Sequence, residues 1–118
     1  MFVNFTNHPA AKWDQQQLEA AQAYGDVVDI AFPHIDPMAT DVEVAALAQE
    51  YVARIIDMSP RAVLCQGEFT FVFAVVSELK KHGVPTLAAC SERCVNEHVL
   101  DGATQKTVTF KFVQFRSY

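Results

Sequence analysis

The chain has 118 residues, 51% of them apolar and 19% charged, which excludes a disordered segment and fits a single domain over 1–118. No apolar run approaches the ~20 residues a membrane-spanning helix needs, and MFVNFTNHP lacks the basic and apolar segments of a secretory signal, so a soluble, cytoplasmic protein with no membrane partner is expected. The net charge of −5 divides into three basic and eleven acidic side chains over 1–79 and six basic and three acidic over 80–118; this argues against duplex DNA and leaves a basic end for a small anion.

Phe2 to Phe5 reads as a short apolar strand, followed by the turn residues of TNHP. Trp13, Leu18, Ala21 and Tyr24 stand near helical spacing, and Gly25 stops that helix. VVDIAF (27–32) is a second strand, and PHIDPMAT is a proline-punctuated loop. Asp41 is a suitable N-cap for a helix to about Asp57, with Ala45, Ala48, Val52 and Ile55 on one face. AVLC (62–65) is a third strand. Phe69 to His82 is a third helix whose first two turns are apolar all round, which predicts deep burial. VPTLAA (84–89) is a fourth strand. Glu97 to Leu100, the turn Asp101-Gly102 and Thr104 to Phe115 form a hairpin. Val108, Phe110 and Phe112 alternate there with Thr109 and Lys111, and Phe110, Phe112 and Phe115 are expected in the core.

Three strand–helix repeats ending in a strand predict an α/β domain: a mainly parallel sheet of about four strands, helices on both faces, and a C-terminal β-hairpin. Ligands bind such sheets at the carboxyl ends of the strands where the order reverses. In the order 2-1-3-4 the crevice lies between strands one and three, beside TNHP and the elbow Gln66-Gly67-Glu68. Gly67 there would let backbone approach a ligand, and the N–H groups opening the third helix could face an anion.

Several chemistries are excluded by motif. The sequence has no G-x-G-x-x-G, no phosphate-binding G-x-x-x-x-G-K-[ST] and no G-x-S-x-G elbow. Three cysteines without framework spacing fit a reducing compartment, and Cys65 reads as a buried core thiol. Scattered histidines and the absence of Cys-x-x-Cys predict no metal site and no cofactor. The residues left at strand ends are Asn4, Thr6, Asn7 and His8, then Gln66, Gly67 and Glu68, then Ser91 and Arg93, with Arg116 near the end.

NFTNHP, QGEFTFVFAVVSEL, AACSER and GATQKTVTFKFVQFRSY together resemble the small stand-alone CRISPR-associated proteins of Rossmann-like, CARF-type fold, several of which are ring nucleases. The resemblance covers nearly the whole chain and is strongest over 63–118. It implies a three-layer sandwich and a homodimer with a cyclic oligoadenylate, cyclic tetra-adenylate foremost, across its two-fold axis. It implies metal-independent ring opening by a ribose 2′-OH, which would switch off type III CRISPR signalling. Enzymes of that kind fix geometry and stabilise phosphate charge. The roles it implies are His8 as proton donor, Glu68 against an adenine amino group or ribose hydroxyl, and Arg93 against phosphate. Asn4, Thr6, Asn7, Gln66, Gly67, Phe69, Thr70, Ser91 and Arg116 would bind the ligand. Two alternatives stay open: a sensor or sponge of the same fold that does not cut, and a small α/β module whose hairpin is a partner interface.

Overall fold

The computed structural model describes residues 1–118. The elements are β1 (Phe2–Phe5), a 3₁₀ turn (Ala10–Lys12), α1 (Gln15–Gln22), β2 (Val27–Asp29), α2 (Asp41–Asp57), β3 (Ala62–Cys65), α3 (Phe69–Lys81), β4 (Thr86–Leu100) and β5 (Ala103–Ser117). One five-stranded sheet runs β2-β1-β3-β4-β5. The first three pairings are parallel and the last is antiparallel. β1 and β3, buried at every position, form its centre, as continuous apolar runs in a parallel sheet require. No helix is long and apolar enough to cross a membrane.

Period-two alternation sends β1 and β3 side chains to two cores. Val3, Phe5, Val63 and Cys65 pack beneath α2 and α3. Phe2, Ala62, Leu64 and Leu87 pack beneath Ala21 of α1, with Trp13, Tyr24 and Phe115 around them. The helices therefore cover both faces of the sheet. The larger core holds a ring cluster: Phe5 lies 5.2 Å from Phe32 and 5.1 Å from Tyr51, and Phe71 lies 5.3 Å from Phe32 and 5.9 Å from Tyr51.

Several boundaries differ from expectation, each for a local reason. α1 begins at Gln15, because Asp14 caps it by accepting from Gln17 N (2.8 Å), and Trp13 belongs to the preceding turn. The cap of α2 is Thr40, one residue before the expected Asp41. Thr40 and Glu43 form a reciprocal capping box that satisfies two otherwise orphaned N–H groups. β2 ends at Asp29, and the chain beyond it turns Phe32 into the ring cluster.

The largest difference lies at the C-terminal end. The expected strand 84–89 and the expected hairpin strand 97–100 are one strand, β4, which takes in CSERCVN. No glycine or proline interrupts residues 86–101, so nothing ends the strand before Asp101-Gly102. Both turn residues have positive φ, 51° and 76°, which matches the right-handed twist of a two-residue hairpin. A register shift between Cys90 and Ser91 marks a bulge, beyond which β4 and β5 leave the sheet as a ribbon.

Two burial expectations also change. Phe112 is in the core and Phe115 packs against it, but Phe110 is 69% exposed. The opening of α3 is not buried all round: Phe69 is 90% and Phe73 is 76% exposed. The two sit one turn apart and face away from the sheet, while Phe71, Val72, Val75 and Val76 face it.

Candidate active site

The crevice expected at the strand-order reversal is present. It has a volume of about 580 Å³ and lies over the carboxyl ends of β1 and β3. One wall is the segment after β1, including Thr6, Asn7, His8, Lys12 and Trp13. The floor is Leu64 with Gln66 and Gly67 from the elbow, and the far wall is Ala89, Ser91, Phe110 and Phe112 at the root of the ribbon.

A buried polar network holds the first wall. Asn4 donates from Nδ2 to the His8 carbonyl (2.8 Å) and to Asp29 Oδ1 (2.8 Å). Thr6 Oγ1 donates to Asn4 Oδ1 (2.9 Å) and accepts from His8 N (3.1 Å). Trp13 Nε1 donates to the same His8 carbonyl (3.1 Å). Asp29 also accepts from Ala10 N (3.2 Å), which seats the 3₁₀ turn. The backbone of His8 is thus fixed while its side chain stays exposed at the crevice. Asp14 ties this wall to the other, because its Oδ2 accepts from Phe112 N (3.4 Å). On the floor, Gln66 Oε1 accepts from Ala89 N (2.9 Å), leaving the N–H groups of that amide as free donors.

The elbow works differently from the sequence expectation. A Cβ built on Gly67 would lie 2.3 Å from the Phe32 ring tip. The glycine therefore makes room for the ring cluster as well as lining the crevice. Alanine at position 67 is expected to cost about 1–3 kcal/mol through overpacking, read as a lower urea midpoint at unchanged slope.

The N–H groups opening α3 are already occupied. Glu68 is the N-cap: its carboxylate accepts from Phe71 N (2.8 Å) and Thr70 N (3.1 Å) and from Thr70 Oγ1 (2.7 Å). The bond from Phe71 N, then those from Thr70, hold the Glu68 carboxyl below its ordinary range. The Glu68 carboxylate itself sits where the sequence reading had an anion face the helix.

Family comparison gives one finding. A family described as "Uncharacterized protein MJ1673 family" matches residues 1–116. The chain belongs to the MJ1673 family. No curated protein and no solved structure matches it.

In this MJ1673-family chain the crevice gathers Thr6, Asn7, His8, Gln66, Gly67 and Ser91 from the residues picked by sequence. Asn4 lies behind the wall as its buried anchor. Glu68 and Thr70 line a second hollow on the α2–α3 side, with Ile35, Asp36 and Ala74. Glu68 and Asn7 also border a small hollow with Phe32 and His34. Phe69 points to solvent. Arg93 stands on the ribbon opposite Phe110, outside the crevice and outside both ion pairs of the chain. Arg116 pairs with Ala88 on the edge strand, also outside the crevice.

Sequence reasoning missed Lys12, Trp13, Asp14 and Gln17, which complete the first wall. In the sequence Trp13 reads as the start of the first helix, which hides its place in the wall, and the segment Ala10–Lys12 has no assigned element. Cys65 is buried as expected, and burial pushes its thiol up to about 12. Its carbonyl accepts from the Tyr118 hydroxyl at 2.6 Å, fastening the end of β5 to the end of β3.

Proposed function

We propose that this crevice binds a cyclic oligoadenylate, cyclic tetra-adenylate foremost, and opens the ring by metal-independent attack of a ribose 2′-OH on the adjacent phosphorus. The product carries a 2′,3′-cyclic phosphate. The protein would thereby switch off type III CRISPR signalling, each chain acting within a homodimer of CARF-type fold. The observation that carries the reading is the convergence of His8, Thr6, Asn7, Gln66 and Ser91 on one crevice at the strand-order reversal. Trp13, Phe110 and Phe112 flank those polar groups, and aromatic faces suit unpaired bases.

The roles follow from the chemistry each group can do. The exposed His8 imidazole at the crevice can act as a general acid and give its proton to the leaving 5′-oxygen. Lys12, the Gln66 amide and the Ser91 hydroxyl can meet non-bridging phosphate oxygens as charge builds on them. Glu68, held ionised by its cap bonds, repels phosphate but can accept from an adenine amino group reaching past Asn7.

The test is incubation of the protein with EDTA and cyclic tetra-adenylate, with products resolved by liquid chromatography and mass spectrometry. Linear di- or tetra-adenylate ending in a 2′,3′-cyclic phosphate is the expected result. An intact ring that co-elutes with the protein makes it a sensor or sponge. An intact ring without binding, repeated with other ring sizes, overturns the reading.

A further inference from the structure

The ribbon formed by β4 and β5 beyond the bulge is the feature that the proposed chemistry leaves unexplained. It gives the chain a radius of gyration of 17.0 Å and extents of 55 × 38 × 21 Å. A compact domain of this length would have a radius of about 13–14 Å. A two-stranded ribbon with nothing packed on it is marginal in water.

Its two faces differ. One carries Arg93, Val95, Glu97 and Val99 from β4, opposite Phe110, Val108, Lys106 and Thr104 from β5. Phe110, Val95, Val108 and Val99 are all solvent-exposed there. The other face carries Glu92, Asn96, His98, Lys111, Thr109 and Gln105 among its exposed positions, with Leu100 as its one large exposed apolar side chain, at the tip. The apolar face is also the one that runs back across the bulge into Ser91 and Phe112 of the crevice wall.

We propose that a second copy of this chain docks on that face, ribbon on ribbon with strands reversed, about the Val95–Val108 pair. The occupant is indicated by charge. Reversing β4 about Val95 lays Arg93 on the partner's Glu97, and the converse. Reversing β5 about Val108 lays Lys106 on the partner's Phe110 ring, a cation–π contact. Val95 and Val108 each meet their own copies. Oppositely charged partners and an apolar centre are what an isologous interface requires. Strands running the same way would put both bodies at one end of the ribbons. The acidic body, five basic and eleven acidic side chains over 1–90, makes a poorer mutual surface than the ribbon, with four basic and three acidic over 91–117.

The arrangement completes the crevice. The same reversal sets the tip residues Val99 and Thr104 of one chain over Ser91 and Phe112 of the other, at the crevice mouth. The dimer then has two separate crevices, each overhung by the opposite chain, in place of one site on the axis. The contact does not rest on ring cleavage, and its test is independent of it.

Sedimentation velocity on the full chain reads the mass, with dimer expected at twice 13.1 kDa. Val95→Lys, a change at an exposed position, is expected to give the monomer with unchanged circular dichroism. Thr109→Lys, on the opposite face, is expected to leave the dimer. In a Cys90→Ser, Cys94→Ser background, Val95→Cys is expected to join two chains through a short bifunctional maleimide, and Thr109→Cys is not. Cys65 is buried and stays out of that reaction. A monomeric parent, a Val95→Lys dimer, or equal crosslinking at 95 and 109 each overturns the proposal.

Discussion

Alanine in place of His8 is expected to slow opening of cyclic tetra-adenylate by about 10²- to 10⁴-fold, the usual worth of a positioned proton donor. Folding stability is expected to stay within about 0.5 kcal/mol of the parent, as for a surface substitution. The two readouts separate because His8 serves the fold through its backbone. Its carbonyl receives Asn4 Nδ2 and Trp13 Nε1, and its N–H donates to Thr6 Oγ1. Alanine keeps all of those atoms and deletes only the imidazole. Single-turnover rates and denaturant melts, run on the same preparations, check both halves. An unchanged rate would remove His8 from the chemistry, and a large loss of stability would mean that the side chain also holds the loop.

The largest stability effect is expected at Phe71. Phe71→Ala should cost about 3–5 kcal/mol, the range for deleting a buried phenyl ring. That is a large share of the ~5–15 kcal/mol that a domain of this kind possesses. Phe71 is fully buried and lies within 6.0 Å of the rings of Phe5, Phe32 and Tyr51, so its loss opens the centre of the cluster. Phe69→Ala, two residues away, is the control. Its ring is 90% exposed, and the change should fall within about 0.5 kcal/mol. Equal shifts for the two variants in urea titrations would contradict the burial pattern of α3.

The contrast between Phe69 and Phe71 also shows where sequence reading reached its limit. The strands β1 and β3 and the sheet order were legible because short apolar runs alternate with helical periods, and crossovers obey a fixed hand. α3 was legible as a helix, but its unbroken apolar start hid which face would be covered, since an all-apolar turn carries no amphipathic signal. β4 was misread because strand propensity is weak in CSERCVN, and pairing with β5 overrode it. Within the crevice, Thr6, Asn7, His8 and Gln66 were found by position, at the carboxyl ends of strands. Glu68 was found but its engagement was not, because a residue preceding a helix is equally suited to cap it or to face a ligand. Lys12 and Trp13 were invisible because a 3₁₀ turn has no period of its own to read.

The three walls of the crevice come from residues 6–17, from 64–67 and from 89–112. The ring cluster of Phe5, Phe32, Tyr51 and Phe71 lies wholly within the first 71 residues. During synthesis, therefore, the larger core can close while the last strand is still inside the ribosome. The pocket forms only when Phe112 has emerged and come back against Asp14. A product cut short before the hairpin could bury its aromatic centre and still lack the far wall of the crevice. The crevice is the last feature of this chain to be completed, and quality control that monitors hydrophobic burial alone would not register its absence.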